Sequence, residues 1–322
     1  MIKTVLAALA LGAMAMSPAL AQEDYPSRPV TIVVPYAPGG ATDNVGRIVA
    51  EQLQKKLGQS FVVENRAGAS GITAANYVSQ AEPDGYTLMI GTSGSLTINV
   101  QMMKTPPFDP LKVFDPVSLL VINDGVLIVS PDFPANNVEE FVAAVKAAPG
   151  KYSFASSGTG GPTHLAGELI KKEIGLDMVH VPYKGDGPAF VDVIAGRVPI
   201  HVTVMASAAP QIDAHAVKPI AALGEKRFPK YPDLPTLSET YPGLTGGAWL
   251  SLIGPAGMPE AVVAKLNKAT NEILADPAVI KRLDELGSRA QGSTPAELHQ
   301  RMEAELKRWG AIIEEIGLKG SQ

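Results

Sequence analysis

The chain has 322 residues, 27 basic against 32 acidic side chains, a net charge of −5 and no cysteine. Without cysteine there is no disulfide framework, thiol nucleophile, lipid-modified cysteine, Cys-ligated metal or Fe–S cluster. The acidic balance, with no basic cluster, argues against nucleic acid or an anionic membrane surface as partner.

Lys3, the apolar run Val5 to Met16 and the small-residue ending Ser17–Pro18–Ala19–Leu20–Ala21 form the pattern of a secretory signal peptide cut after Ala21. Pro18 and the polar Gln22–Glu23–Asp24 stop this run short of the ~20 apolar residues a membrane span needs. An exported chain without cysteine suits a bacterial periplasm. The remaining ~300 residues are enough for two domains of ~100–200 residues each.

Strands and helices then alternate. Strands are expected at Thr31–Tyr36, Phe61–Glu64 and Thr87–Thr92, with helices at Thr42–Leu57 and Ile72–Gln80 between them. A second set starts at Val126–Ser130. It runs through helix Val138–Ala147, strand Tyr152–Ser157, helix Thr163–Ile174, strand Met178–Tyr183, helix Pro188–Ala195 and strand Val198–Val204. Such alternation predicts an α/β fold with mainly parallel sheets flanked by helices. Leu119–Val129 and Trp249–Ile253 read as crossovers between two lobes. The helices Pro259–Ala275, Pro277–Leu286 and Thr294–Ile316 are expected to return to the first lobe. The expected division is 22–124 and 248–322 for the discontinuous first lobe, 125–247 for the second, and 1–21 for the signal peptide. Two linkers of this kind allow a hinge.

Two strand-to-helix turns rich in glycine stand out: Ala37–Pro38–Gly39–Gly40–Ala41 and Gly158–Thr159–Gly160–Gly161–Pro162. Each would present bare N–H groups and about half a positive charge at a helix N-terminus, suited to an anion. In the first, Thr42 and nearby N–H groups are candidates to meet a ligand carboxylate, with Tyr36 at the strand end. Asp43 has two readings: a dipole-complementing acid paired with Arg47, or a residue that orients the turn or meets a ligand cation. Ser156, Ser157 and Thr163 add hydroxyls to the second turn. His164 reads as a capping or satisfied polar residue more readily than as a base. Thr92 and Ser93, ending the third strand, would share the crevice at the strands' carboxyl ends. Asp192, amid Phe190, Val191, Val193 and Ile194, needs a backbone nest, a ligand donor or Arg197 as partner if buried. Lys184 either faces an anion or is a solvated turn residue.

Enzyme signatures fail. Counting from Gly158 and Gly160, the dinucleotide fingerprint's third glycine is Thr163. Gly91–Thr92–Ser93–Gly94–Ser95 lacks the closing glycine of a nucleophile elbow. The five histidines show no i,i+4 metal spacing. A serine hydrolase using Ser93 or Ser157 remains the rival class, and no cofactor or metal is expected.

The series Tyr25–Pro26–Ser27–Arg28–Pro29–Val30–Thr31, Pro38–Gly39–Gly40–Ala41–Thr42–Asp43, Val63–Glu64–Asn65–Arg66–Ala67–Gly68–Ala69–Ser70–Gly71 and Pro83–Asp84–Gly85–Tyr86–Thr87–Leu88 resembles the periplasmic solute-binding receptors of the tripartite tricarboxylate transporter family, also called Bug receptors. Gly158 to Glu168, Val181–Pro182–Tyr183–Lys184–Gly185 and Trp249 continue the resemblance. It implies a two-lobed periplasmic binding protein with a cleft closing on a small organic acid. The classes are di- or tricarboxylate, aromatic carboxylate, acidic amino acid and nicotinate-like compound. It also implies an inner-membrane permease as partner, and the chain is expected to be a monomer. A receptor for another transporter or for a sensor is the alternative. The ligand contacts it implies are Tyr36, Gly40, Ala41, Thr42, Asp43, Thr92 and Ser93 from the first lobe. From the second they are Ser156, Ser157, Gly158, Gly160, Gly161, Thr163, His164 and Asp192. Family members often carry a small residue where this chain has Asp186, and commonly Gly-Gly near Ala195–Gly196.

Overall fold

The computed structural model describes residues 25–321; the signal-peptide reading falls outside them. In chain order the elements are β1 (Val30–Val34), α1 (Ala41–Leu57), β2 (Phe61–Asn65), α2 (Ile72–Ser79) and β3 (Thr87–Thr92). A wide turn at Gly94–Ile98 runs into α3 (Asn99–Met102), followed by α4 (Pro110–Val113) and β4 (Phe114–Val129). The second half holds α5 (Val138–Lys146), β5 (Ser153–Ser156), α6 (Pro162–Ile174), β6 (Val179–Pro182), α7 (Asp186–Ile194), β7 (Ile200–Val204), α8 (Met205–Asp213), β8 (Lys218–Ala222) and α9 (Leu237–Thr240). The chain ends with β9 (Gly247–Pro255), α10 (Glu260–Leu274), α11 (Pro277–Glu285), β10 (Arg289–Ala290) and α12 (Pro295–Glu315).

Strand β4 is the spine. Its first part pairs antiparallel with β9, and β9 pairs in turn with β3, which continues through β1 to β2. Gly125–Val129 pairs with β7 on one edge, and Val126–Val129 with β8 on the other. From β7 the second sheet runs to β5 and β6, both pairings parallel. Two α/β lobes thus share one long strand.

Alternating side chains show why the sheets are covered on both faces. Val30, Ile32 and Val34 of β1 join Ile48, Leu53 and Leu266 on one face, while Val33 joins Ile72, Met89 and Phe114 on the other. In the second lobe Leu127 and Val129 pack with Phe141, Phe154 and Leu165, whereas Val126 and Ile128 meet Phe190, Ala208 and Ile212. Strands buried on both sides read as near-continuous apolar runs, in the parallel β1 and in the antiparallel β4 alike.

Two expectations change. Trp249–Ile253 is not itself the second crossover: Leu250, Ser251, Leu252 and Ile253 pair with β3. The chain crosses just before, where Gly246 N–H donates to Leu223 O (2.8 Å) and Gly246 O accepts from Gly125 N–H (3.1 Å). The terminal helices also do not all return to one lobe. Leu298 and Met302 of α12 lie in the first lobe's core, but Trp309, Ile312 and Ile313 lie in the second's. This helix begins at a reciprocal cap: Glu297 accepts from Thr294 N–H (2.8 Å) and Thr294 Oγ1 accepts from Glu297 N–H (3.2 Å).

Candidate functional site

The loops that follow β1, β3, β5, β6 and β7 lie at the carboxyl ends of their parallel strands, the edge where α/β folds place ligands. In the first of them α1 starts at Ala41 with Gly40 as its N-cap, and no side chain caps it. The first N–H groups of a helix have no partner within it, so Ala41 and Thr42 carry the donors that the exposed Ala37–Ala41 stretch presents. Asp43 points inward, 1 % exposed. Its carboxylate accepts from Gly39 N–H, Arg47 Nε and Asn65 Nδ2, each at 2.8 Å. Burial works against its ionisation, but these three donors outweigh that and hold its carboxyl below the usual range. Asp43 therefore orients the turn, with both oxygens committed inside its own lobe.

The same network reaches the β3 loop. Asn65 donates to Tyr36 O (2.9 Å), Tyr36 Oη stands 3.5 Å from Thr92 Oγ1, and Thr92 Oγ1 accepts from Ser95 N–H (3.0 Å). Asn65 and Ser95 escaped the sequence reading, although Asn65 ends β2 and the strand-end rule would have found it. Ser93 faces the crossing instead: its Oγ accepts from Trp249 N–H at 3.4 Å, and its carbonyl accepts from Thr97 Oγ1 at 2.8 Å.

In the second lobe Gly161 caps α6 and Pro162 takes the first helical position. Ser157 N–H donates to Thr163 Oγ1 (3.2 Å), and the two hydroxyls are 3.0 Å apart. His164 Nδ1 accepts from Gly160 N–H (3.0 Å), which puts the ring proton on Nε2, and His180 Nε2 meets Ser156 Oγ (2.7 Å). The two rings stack with centroids 3.7 Å apart. His164 thus holds the turn as a satisfied polar residue. Register brings His180 there: β6 sets it opposite Phe154 of β5.

Burial, then Lys171, lowers His164 to about 4, and burial, His164 and Lys171 lower His180 to about 3. In the unfolded chain both rings take up protons near their ordinary value of 6.5. Below that pH the unfolded state binds more protons, so stability is full above it and falls as acid deepens. The fall is up to about 1.4 kcal/mol per pH unit for each ring. Urea midpoints taken from pH 7.5 to 4.5 should show it. His180→Asn, which keeps a partner for Ser156, should flatten the fall by roughly half; curves that stay parallel would refute the assignment.

Ser156 and His180 also stand at a nucleophile–base distance. An imidazole lowered to about 3 is a poor base at neutral pH, and Ser157 and Ser93 are bonded elsewhere.

Asp192 finds the Arg197 partner that the sequence named, but not within a core. Only Phe190 and Val193 of its neighbours are buried; Val191 is 61 % exposed, so no buried carboxylate interrupts a core. It accepts from Tyr183 Oη (2.6 Å) and Arg197 Nε (2.7 Å), and these donors hold its carboxyl below the usual range. Its direct effect is to fix Tyr183 at the end of β6. Lys184 is exposed.

Gly185 N–H donates to Ser157 O (3.1 Å), so the β6–α7 loop lies against the glycine turn. The loop after β3 and the second lobe's α6 flank one stretch of chain: Ser93 bonds to Trp249, while a Cβ built on Gly246 would fall 2.7 Å from Ala166 Cβ of α6. Glu305, another residue the sequence reading missed, braces that stretch from α12 by accepting from Trp249 Nε1 (2.7 Å) and Thr97 Oγ1 (3.1 Å). A hinge cavity of about 620 Å³ lies beside it, lined among others by Asp124, Arg289, Thr245 and Arg308. None of the candidate contacts lines this cavity, and its arginines are already engaged, Arg289 with Asp124, Arg301 with Glu305 and Arg308 with Thr245.

Two α/β lobes joined through shared strands, with amide-bearing turns at their strand ends, define a two-lobed solute-binding receptor. The family described as tripartite tricarboxylate transporter family receptor matches residues 45–318, and the chain belongs to it. This is a family of periplasmic solute-binding receptors, not of enzymes. BugT of Bordetella pertussis is 32 % identical over 92 % of this chain and 92 % of its own. A solved R. palustris protein with adipate is 33 % identical, covers 91 % of this chain and 98 % of its own, and has a TM-score of 0.78. MatC from Rhodopseudomonas palustris with bound malate is 34 % identical, with coverage of 90 % and 100 % and a TM-score of 0.74.

Proposed function

We propose that the chain is an extracytoplasmic receptor that binds a small organic carboxylate between its lobes and hands it to an inner-membrane permease. In this reading residues 1–21 are removed on export. Residues 22–124 and 248–322 form one lobe and 125–247 the other, with the last turns of α12 reaching across onto the second, and the receptor works as a monomer. The observation that carries it is the α1 turn. Its only acid is drawn inward onto Gly39, Arg47 and Asn65, so the exposed groups at the helix start are donors. A carboxylate placed there receives charge-assisted hydrogen bonds and the helix's positive end. The opposing contacts are the donors of Ser156–His164. The adipate and malate bound to the two relatives support an acid as ligand.

A thermal-shift and calorimetry screen tests this with mono-, di- and tricarboxylates, aromatic acids and acidic amino acids, each beside its neutral amide. The matching acid should stabilise by about 2.7 kcal/mol at a hundredfold excess over Kd. Stabilisation by sugars or by the amides alone would overturn the reading.

A further inference from the structure

Beneath the second lobe's strand ends lies a polar cluster that the turn-based reading does not use. Asp186 opens α7, next to Gly185, which is bonded to Ser157 of the glycine turn. Its Oδ1 accepts from Thr203 Oγ1 at 2.8 Å, the Ser207 hydroxyl bonds to the same carboxylate, and His201 Nε2 stands 3.3 Å away. The Asp186 side chain keeps 19 % of its surface exposed, whereas that of His201 has none. His201 Nε2 meets Asp186 only through this loose approach, and its other ring nitrogen, Nδ1, is buried with no partner among the described residues. Alternation places His201 and Thr203 on the same face of β7, the face where Phe190 of α7 packs edge-on against the imidazole (centroids 5.1 Å). The cluster is therefore held by β7 and α8, and Asp186, at the first turn of α7 after β6, is its partly exposed member.

A buried imidazole without an aligned partner costs stability and needs an account. So does a carboxylate at the lip of a site built for an anion. The other acids near the two turns, Asp43, Glu168 and Asp192, are engaged with Arg47, Lys171 and Arg197. Asp186 has no Arg or Lys partner among the described residues, and the two hydroxyls with His201 Nε2 leave its carboxylate acceptor capacity to spare.

Resting on the receptor reading above, we infer that Asp186 reads the far end of the ligand, so the ligand is a carboxylic acid whose other end is a hydrogen-bond donor, an ammonium or hydroxyl, and not a second carboxylate. The α1 turn holds the acid; Asp186 accepts from the opposite end; His201 is a positioning residue that keeps the carboxylate in place. A second carboxylate brought to Asp186 would meet a like charge in a partly dry site, a repulsion that discriminates strongly.

The test uses the whole mature protein and matched C4 to C6 sets: succinate, glutarate and adipate against the ω-amino and ω-hydroxy acids of the same length. Affinities are read by calorimetry. The tightest binder should be a donor-ended acid, at least tenfold tighter than its diacid. Asp186→Ser should shrink that preference at least tenfold, and the closer-shaped Asp186→Asn should weaken the ω-amino acid most. A diacid that binds tighter to the unaltered protein, or a preference that survives both substitutions, overturns the inference while leaving the receptor reading intact. Failure of every acid to bind sinks both.

Discussion

Asp43→Ala should weaken carboxylate binding by a hundredfold or more while the chain still folds. The substitution touches no ligand atom. It removes the acceptor for Gly39 N–H, Arg47 and Asn65 at once and with it the free energy of those bonds, which the half-exposed Arg47 recovers in part from water. Part of that falls on stability. The rest falls on the turn, because Gly39 N–H is what Asp43 uses to hold the loop ahead of α1, and Asn65 ties it to Tyr36. A turn that samples several shapes must be ordered by the ligand, and an ordering cost of about 2.7 kcal/mol is already a hundredfold in Kd. Calorimetry gives the Kd, and a urea midpoint taken beside it separates lost binding from lost fold. An unchanged Kd would show that the turn holds its shape without Asp43. Acid should not mimic the substitution until pH falls below the usual carboxylate range, because the three donors keep Asp43 charged through it.

Gly247→Ala should cost about 2–6 kcal/mol of stability, from backbone strain and from a clash that nothing can relieve. Gly247 has φ +140°, and a Cβ there would lie 2.5 Å from Asn123 O and 2.9 Å from Gly125 N. Both are main-chain atoms of β4, pinned by the ladder that pairs Asp124 with Gly247 and Asn123 with Ala248. They cannot retreat as a side chain would. Gly243 supplies the control: φ is +82° and nothing lies within 4 Å, so Gly243→Ala should cost only the strain, about 1 kcal/mol. Urea unfolding of the two variants reads the difference; equal losses would mean that the crossing yields.

The elements with strong punctuation were legible in the sequence. The third strand was expected at Thr87–Thr92 and is found there, and Gly161–Pro162 opens α6 as its turn chemistry suggested. β1 stops at Val34, before Pro35, where the apolar run alone carried it on to Tyr36. Strand β4 was read only as a crossover and a short strand, because Pro116 and Asn123–Asp124–Gly125 look like breaks. Pairing with β9, β7 and β8 carries it through them. α8 and β8 went unread: α8 holds Pro210, and β8 opens on Lys218–Pro219. At the candidate site the glycine turns were visible because a turn is local. The partners of Asp43, and the stack of His164 on His180, depend on how neighbouring strands align, which one sequence does not state. The exposure of Asp192 was illegible for a related reason: apolar neighbours on a helix do not fix which face is inside, and Val191 points out, though Arg197 was legible as its partner.

Helix α12 anchors its first turns in one hydrophobic core and its last in the other. The polypeptide therefore passes between the halves three times, through β4, through Gly246–Gly247 and along this rod. Neither half is an autonomous unit that can be excised and expressed alone. A cut at the two strands would strip Trp309, Ile312 and Ile313 from one fragment and leave them bare on the other.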